Sequence, residues 1–158
     1  CDCAKPPCTL NNVGLSQLSA SGSVGTYTSA YNGGCKPAFA TLANCLWLGS
    51  AGAFDYTVQF NSPVNFVVIK LAATGAVTNE NFIFTPNNAI TATITAYDQC
   101  YSTISGNEIL SGAGSTSGVG GGGIFLIETI GATFTQLRIQ GAGGTNGSLL
   151  NFCATGVK

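Results

Sequence analysis

The sequence predicts an all-β protein: an antiparallel β-sandwich, jelly-roll-like, with about ten strands and an extended N-terminal arm. Short β-prone segments recur roughly every 8 to 14 residues, separated by turns rich in glycine, proline and asparagine. The one helix-like stretch, residues 38–46, lacks good capping residues. Regular short strands without intervening helices are typical of sandwiches and jelly rolls.

Ten segments carry the strand signal. Residues 53–60 alternate apolar and polar side chains, and Pro63 is expected to end that strand. Residues 64–72 are the most hydrophobic and are predicted to form a central strand, while Gly106-Asn107 is predicted as a turn. The predicted strands span residues 24–31, 38–48, 53–60, 64–72, 81–85, 89–98, 101–110, 123–130, 132–140 and 148–156.

The N-terminal segment differs from the rest. Residues 1–23 begin CDCAKPPC and continue as a Gly- and Ser-rich stretch, and Pro6 and Pro7 restrict the backbone to extended conformations. We predict a Cys/Pro-rich arm over residues 1–23 and a single sandwich domain over residues 24–158.

Charged residues make up 7% of the chain, against roughly 25% in an average soluble protein. Five scattered Lys and Arg residues cannot neutralise a phosphate backbone, so nucleic-acid binding is excluded. No apolar stretch has the length of a transmembrane segment. The neutral surface fits either a secreted, glycosylated domain or a subunit that buries its surface against copies of itself.

The sequence contains no Met and begins with Cys1. A removed signal peptide would explain this start, so we expect a secreted protein, extracellular or at the cell surface. A lipoprotein anchor on Cys1 is the alternative.

Seven cysteines are present: Cys1, Cys3, Cys8, Cys35, Cys45, Cys100 and Cys153. Their spacing fits no zinc motif, so disulfides are expected. Cys35–Cys45 and Cys100–Cys153 are conceivable pairs, although sequence cannot determine connectivity. An odd count means that a fully oxidised chain has one cysteine bonded outside itself or capped. The three arm cysteines could therefore bond to a neighbouring molecule, or the arm could fold back on its own domain.

Histidine is absent, which removes the usual general base near neutral pH. The six carboxylates form no paired motif, so we expect no enzyme, no catalytic residues, no cofactor and no metal site. The Gly-rich stretch at 112–123 lacks the Lys and the helix of a phosphate-binding loop and is expected to be an exposed loop.

Exposed aromatic residues could bind a sugar. Trp47, Tyr97 and Tyr101 are the candidates, with Tyr27 and Tyr31 as further members of a platform. Packing in the core or against a disulfide is the alternative for Trp47. Asn146-Gly147-Ser148 is the single N-glycosylation sequon.

Two family resemblances accompany these patterns. The stretches YTVQFNSPVNFVVIKLAA, ITATITAYD and GIFLIETIGATFTQLRIQGAGGTNGS resemble β-sandwich domains of bacterial cell-surface and adhesin-type proteins, which often carry a junction like residues 60–64. The CDCAKPPC start resembles the connector of covalently cross-linked bacterial fibre subunits. The first resemblance implies an extracellular fold with a surface role, and the second implies polymerisation.

We therefore expect an extracellular structural subunit that assembles with copies of itself into a fibre or surface layer. The arm would dock on a neighbour's sheet edge and be locked by intermolecular disulfides from Cys1, Cys3 or Cys8. The alternative is a monomeric carbohydrate-binding or adhesive module with glycans as partners, and a third possibility is a passive spacer of a larger surface protein.

Overall fold

The computed structural model describes residues 13–29, 31, 35–36, 45–75, 80–112, 120–144, 146–154 and 156–158. Several sequence predictions lie outside these residues: arm residues 1–12 with Cys1, Cys3 and Cys8, most of the predicted strand 38–48, and most of the Gly-rich loop.

Twelve strands form two six-stranded antiparallel sheets. Sheet A has the order β1-β4-β11-β6-β9-β8, and sheet B has the order β2-β3-β12-β5-β10-β7. The described residues contain no helix, so the predicted all-β sandwich is confirmed. The strands are β1 (Leu15–Gly22), β2 (Val24–Tyr27), β3 (Cys45–Leu48), β4 (Phe54–Val64), β5 (Phe66–Thr74), β6 (Glu80–Pro86), β7 (Thr93–Cys100), β8 (Ser102–Ser105), β9 (Glu108–Ser111), β10 (Gly121–Glu128), β11 (Phe134–Gly141) and β12 (Ser148–Ala154).

The strand pairs are nested along the chain. Strand β3 pairs with β12, β4 with β11, β5 with β10 and β6 with β9. Each pair lies inside the previous one in sequence, and successive pairs alternate between sheet B and sheet A. This nesting brings strands that are distant in sequence side by side.

A core of aromatic and branched aliphatic side chains fills the space between the sheets. Strand β4 shows the alternation that the sequence predicts, with every second side chain buried from Phe54 to Phe60. Phe60 packs edge-to-face on Phe134 with ring centroids 5.9 Å apart. The largest fully buried side chains are Phe60, Phe82, Phe84, Phe125, Phe134, Leu48, Ile69, Leu71, Ile109 and Ile127.

Sheet B is apolar on both faces. Strand β5 lies between β12 and β10, which confirms the prediction of a central strand in this region, although it begins at Phe66 and Val64 belongs to β4. Val67, Ile69 and Leu71 belong to the main core. Phe66 and Val68 on the opposite face are buried in a second cluster. Apart from Lys70, β5 is therefore apolar on both faces, like strands that are covered on both sides.

Several strand boundaries differ from the sequence-based expectation, and the predicted strand 101–110 is divided into β8 and β9. Two differences concern the edge of sheet A. Strand β4 continues through Pro63 to Val64, and the prediction that Pro63 ends the strand is wrong. The pairing of β1 with β4 begins opposite Phe60. No residue of β1 therefore lies opposite Pro63, and the N–H that proline lacks is not needed for a hydrogen bond to β1. Residues 15–22, predicted as part of the arm, form β1 and pair with β4 on both sides of a bulge at Leu18.

Candidate functional site

An open cleft of about 270 Å³ lies at one end of sheet B. The ends of β2 and β5, the strand β3 and the turn before β12 form its walls. We call it the aromatic cleft because three aromatic residues contribute to it. Its described lining consists of Tyr27, Tyr31, Trp47, Ala73, Thr74, Gly75, Gly120, Asn146, Gly147 and Leu149.

Sheet register explains why the indole of Trp47 faces this cleft. Trp47 alternates with Leu48, which is buried in the core, so it points to the outer face of sheet B. Its neighbour on β2 is Gly25, which has no side chain to cover the indole. Trp47 is 36% exposed, and core packing is therefore not its role.

The indole is held in place from three sides. Trp47 Nε1 donates a hydrogen bond to the backbone oxygen of Asn146 at 2.9 Å. The Tyr27 ring meets it edge-on, with centroids 5.9 Å apart and an interplanar angle of 81°. Gly147 adopts a φ of +73°, and any Cβ there would collide with the indole. The ring is consequently fixed before any ligand arrives.

The carboxylate of Glu80 lies behind the cleft and joins two of its walls. This buried side chain accepts hydrogen bonds from the Gly75 amide at 2.6 Å and from the Ser148 hydroxyl at 2.5 Å. Gly75 follows β5 and Ser148 begins β12, so the two segments cannot separate without losing these bonds. No sequence pattern indicated this contact, because it depends on the alignment of three distant strand ends.

Tyr31 provides a hydroxyl at the cleft. Burial raises the pKa of Tyr31 above its usual value, and the neighbouring Tyr27 adds to the effect. The phenol therefore stays protonated through the neutral range and can both donate and accept hydrogen bonds.

The other predicted aromatic candidates lie elsewhere. Tyr97 is on β7, at the edge of sheet B opposite to β2, and it is 56% exposed. Tyr101 follows β7 with a φ of +52°. Four strand spacings, about 19 Å, separate β7 from β3. Tyr27 and Tyr31 are thus brought to Trp47, whereas Tyr97 and Tyr101 are not.

The predicted sequon occupies the rim of the cleft. Asn146 is exposed, but Ser148 is fully buried against Glu80.

Cys35 and Cys100 form a disulfide with a Cα–Cα distance of 6.4 Å. The suggested pairs Cys35–Cys45 and Cys100–Cys153 are therefore wrong. Cys100 ends β7 and Cys153 lies in β12, with β5 and β10 between them, so about 14 Å of sheet separates the two strands. Cys45 and Cys153 are disulfide-bonded as well. Lys36 Nζ contacts Asp98 Oδ1 at 2.5 Å beside the Cys35–Cys100 bond.

Strand β1 is the second feature with functional potential. It is the end strand of sheet A, and all eight of its residues are exposed. Leu15 and Leu18 are 42% and 52% exposed. Among the described strands, β1 pairs only with β4, and no strand pairs with its other backbone edge.

Within the described ranges, no three His, Cys, Asp or Glu side chains are grouped as metal ligands would be. Nor does this part of the chain hold a helix long and apolar enough to cross a membrane. No protein-family model, curated protein or solved structure matches this chain.

Proposed function

We propose that this chain is a non-catalytic extracellular structural subunit, and that the free edge of β1 accepts an extended segment of a neighbouring copy. The observation that carries the proposal is the exposure of the whole strand together with its position at the end of sheet A. Unpaired backbone groups on such an edge form a template for strand addition.

The comparison with the other sheet ends strengthens this choice. Natural proteins protect edges with short strands, charged side chains or proline. Strands β2 and β8 have only four residues each, and β7 carries Asp98 in an ion pair with Lys36. Strand β1 has eight residues without a charge or a proline, and its protection is limited to one bulge between Gln17 and Ser19.

Hydrogen-bond alternation identifies the backbone groups that face outward. The bonds from Asn61 to Gly14 and from Ser23 to Ala53 mark positions where β1 and its flanks bond to β4. Counting along the strand from these bonds, the amides of Gln17 and Ala20 point to the free edge.

The predicted arm spans residues 1–23, but residues 15–22 of it form β1. The segment that docks on a neighbour is therefore residues 1–12, where Pro6 and Pro7 favour extended backbone. A disulfide would then join the chains, since seven cysteines cannot all pair within one molecule. The low charge of the chain leaves little repulsion between copies.

A jelly-roll classification of the sandwich is also proposed. Its support is the nesting of the strand pairs from β3/β12 to β6/β9. Successive pairs alternate between the two sheets, which is the connectivity of a jelly roll. An experimentally determined map that placed β4 and β11 in different sheets would contradict it.

The assembly test compares two lysine substitutions on opposite edges of sheet A. Ala20→Lys charges the free edge of β1, and Thr103→Lys adds the same charge to exposed Thr103 on β8. Sedimentation velocity and negative-stain electron microscopy should show polymers for the native chain and Thr103→Lys, but monomers for Ala20→Lys. A native chain that stays monomeric, or an Ala20→Lys variant that polymerises normally, would disprove the proposal.

The covalent part has its own test. Non-reducing electrophoresis of single Ser variants at Cys1, Cys3 and Cys8 should identify one whose loss removes the disulfide-linked oligomers. Peptide mapping that finds every cysteine either bridged within one chain or free would contradict this part.

A further inference from the structure

We propose that the aromatic cleft binds one ring of a neutral saccharide, a function separate from assembly. The cleft lies on sheet B, and the free edge of β1 belongs to sheet A. The two proposals can therefore fail independently.

The geometry of the two aromatic rings favours a sugar ligand. Trp47 and Tyr27 meet at 81° and form a corner with apolar walls. Aromatic faces carry partial negative charge, which attracts the C–H bonds on the apolar face of a pyranose. Trp47 stays solvent-exposed here, while Cys45 and Leu48 at the ends of its strand are buried. A platform of this kind suits a ligand with one apolar face.

Polar residues at the rim of the cleft also favour a sugar ligand. Asn146 and Tyr31 are lining residues of the cleft, and a side-chain amide and a phenol hydroxyl match the hydroxyl groups of a sugar. Thr74 is already bonded to Ser111 at 3.0 Å. No charged residue is among the described lining residues, so the ligand that fits is neutral.

The size of the cleft limits the ligand. A volume of about 270 Å³ lies just below the roughly 300–1,000 Å³ of pockets for drug-sized molecules. The cleft therefore has room for one sugar ring. The rest of a glycan would extend into solvent.

Local backbone geometry supports a binding role. Ala73 lines the cleft with a φ of +59°, a left-handed conformation that is uncommon outside glycine. The β5–β10 register shifts at the same place. Bulges and strained residues concentrate at ligand sites, where surrounding structure maintains them. Here the Glu80 bonds to Gly75 and Ser148 supply that support.

The single tryptophan of the chain makes the experiment direct. Intrinsic fluorescence of Trp47 is recorded while the full-length protein is titrated with glucose, galactose, mannose, N-acetylglucosamine and their disaccharides. At least one sugar should produce a saturable change. Tyr27→Ala should weaken that binding about tenfold, equivalent to about 1.4 kcal/mol, because it removes one wall.

Three further variants separate loss of binding from loss of folding or assembly. Asn146→Ala removes an exposed amide but leaves the backbone oxygen that holds Trp47, so it should fold normally and also weaken binding. Tyr97→Ala removes an exposed aromatic far from the cleft and should bind like the native chain. The monomeric Ala20→Lys variant should also bind sugar normally.

The proposal is overturned if no sugar in the panel gives a saturable change. It is overturned equally if Tyr97→Ala weakens binding as much as Tyr27→Ala, or if Tyr27→Ala and Asn146→Ala both bind normally.

Discussion

Glu80 illustrates at the scale of one residue how the cleft end of the sandwich is held together. Its carboxylate is buried, yet it has two donors, Gly75 and Ser148, at hydrogen-bond distance. A buried carboxylate is tolerated only where such bonds replace water. The same two bonds connect strand ends that are far apart in sequence.

Replacing Glu80 with alanine should therefore leave the buried Ser148 hydroxyl and the half-buried Gly75 amide without this acceptor. The expected loss of unfolding free energy is about 2–4 kcal/mol, measured by urea denaturation. Glu80→Gln keeps the shape and one acceptor, so it should lose less. An alanine variant as stable as the native chain would show that these bonds contribute nothing.

Asp55 gives a pH-dependent prediction. Arg138 contacts it with two hydrogen bonds, from Nε at 3.0 Å and Nη2 at 2.5 Å. The bonds from Arg138 lower the pKa of Asp55, burial opposes them, and the charge of Arg138 adds to the lowering. The stabilisation is present above the ordinary carboxyl pKa of about 4 and is lost as the pH falls through the lowered value.

The native chain should therefore lose more stability than Asp55→Asn when the pH is lowered from 7 to 2. Urea midpoints at both pH values would measure this difference. The effect should be small, because both partners are substantially exposed. Equal acid sensitivity of the two proteins would contradict the assignment.

Individual side-chain positions were only partly predictable from sequence. Trp47 was identified as a candidate because it is the only tryptophan, and alternation with Leu48 explains its outward orientation. Its association with Tyr27 follows from the β2–β3 register, and its separation from Tyr97 follows from strand order. Neither register nor strand order can be read from periodicity.

At the scale of elements, the sequence predicts which segments form strands but not where each strand ends. The alternation in β4 and the hairpin turn at Gly106-Asn107 appear as expected. The continuation of β4 through Pro63 depends on where β1 begins, which is a tertiary property. The Gly- and Ser-rich sequence of β1 is predicted as part of the arm because its residues do not form an apolar face.

The Cys35–Cys100 disulfide connects Cys35 to the end of β7, with a sequence separation of 65. A double Cys35→Ser/Cys100→Ser variant should lose up to about 4 kcal/mol, because the unfolded chain regains the entropy of that loop. Thermal denaturation would measure the loss. Lys36→Gln, which removes only the neighbouring exposed ion pair, should lose less than about 1 kcal/mol. Equal losses in the two variants would contradict a structural role for the disulfide.

At the scale of the whole molecule, a nested sandwich with few charges presents an unprotected strand to its surroundings. Composition predicted the neutral surface, and the regular strand spacing predicted the sandwich. The nesting of β3/β12 through β6/β9 was beyond sequence reasoning, because it depends on pairings between distant strands. The unprotected edge of β1 is a consequence of that topology.

Amide hydrogen exchange in assembled material tests the central claim most directly. If β1 accepts a strand from a neighbour, the outward amides of Gln17 and Ala20 should be protected in polymers of the native chain. The backbone amides at the same two positions should exchange rapidly in the monomeric Ala20→Lys variant. Rapid exchange of both amides within intact polymers of the native chain would contradict the claim, because the edge would then be exposed to water.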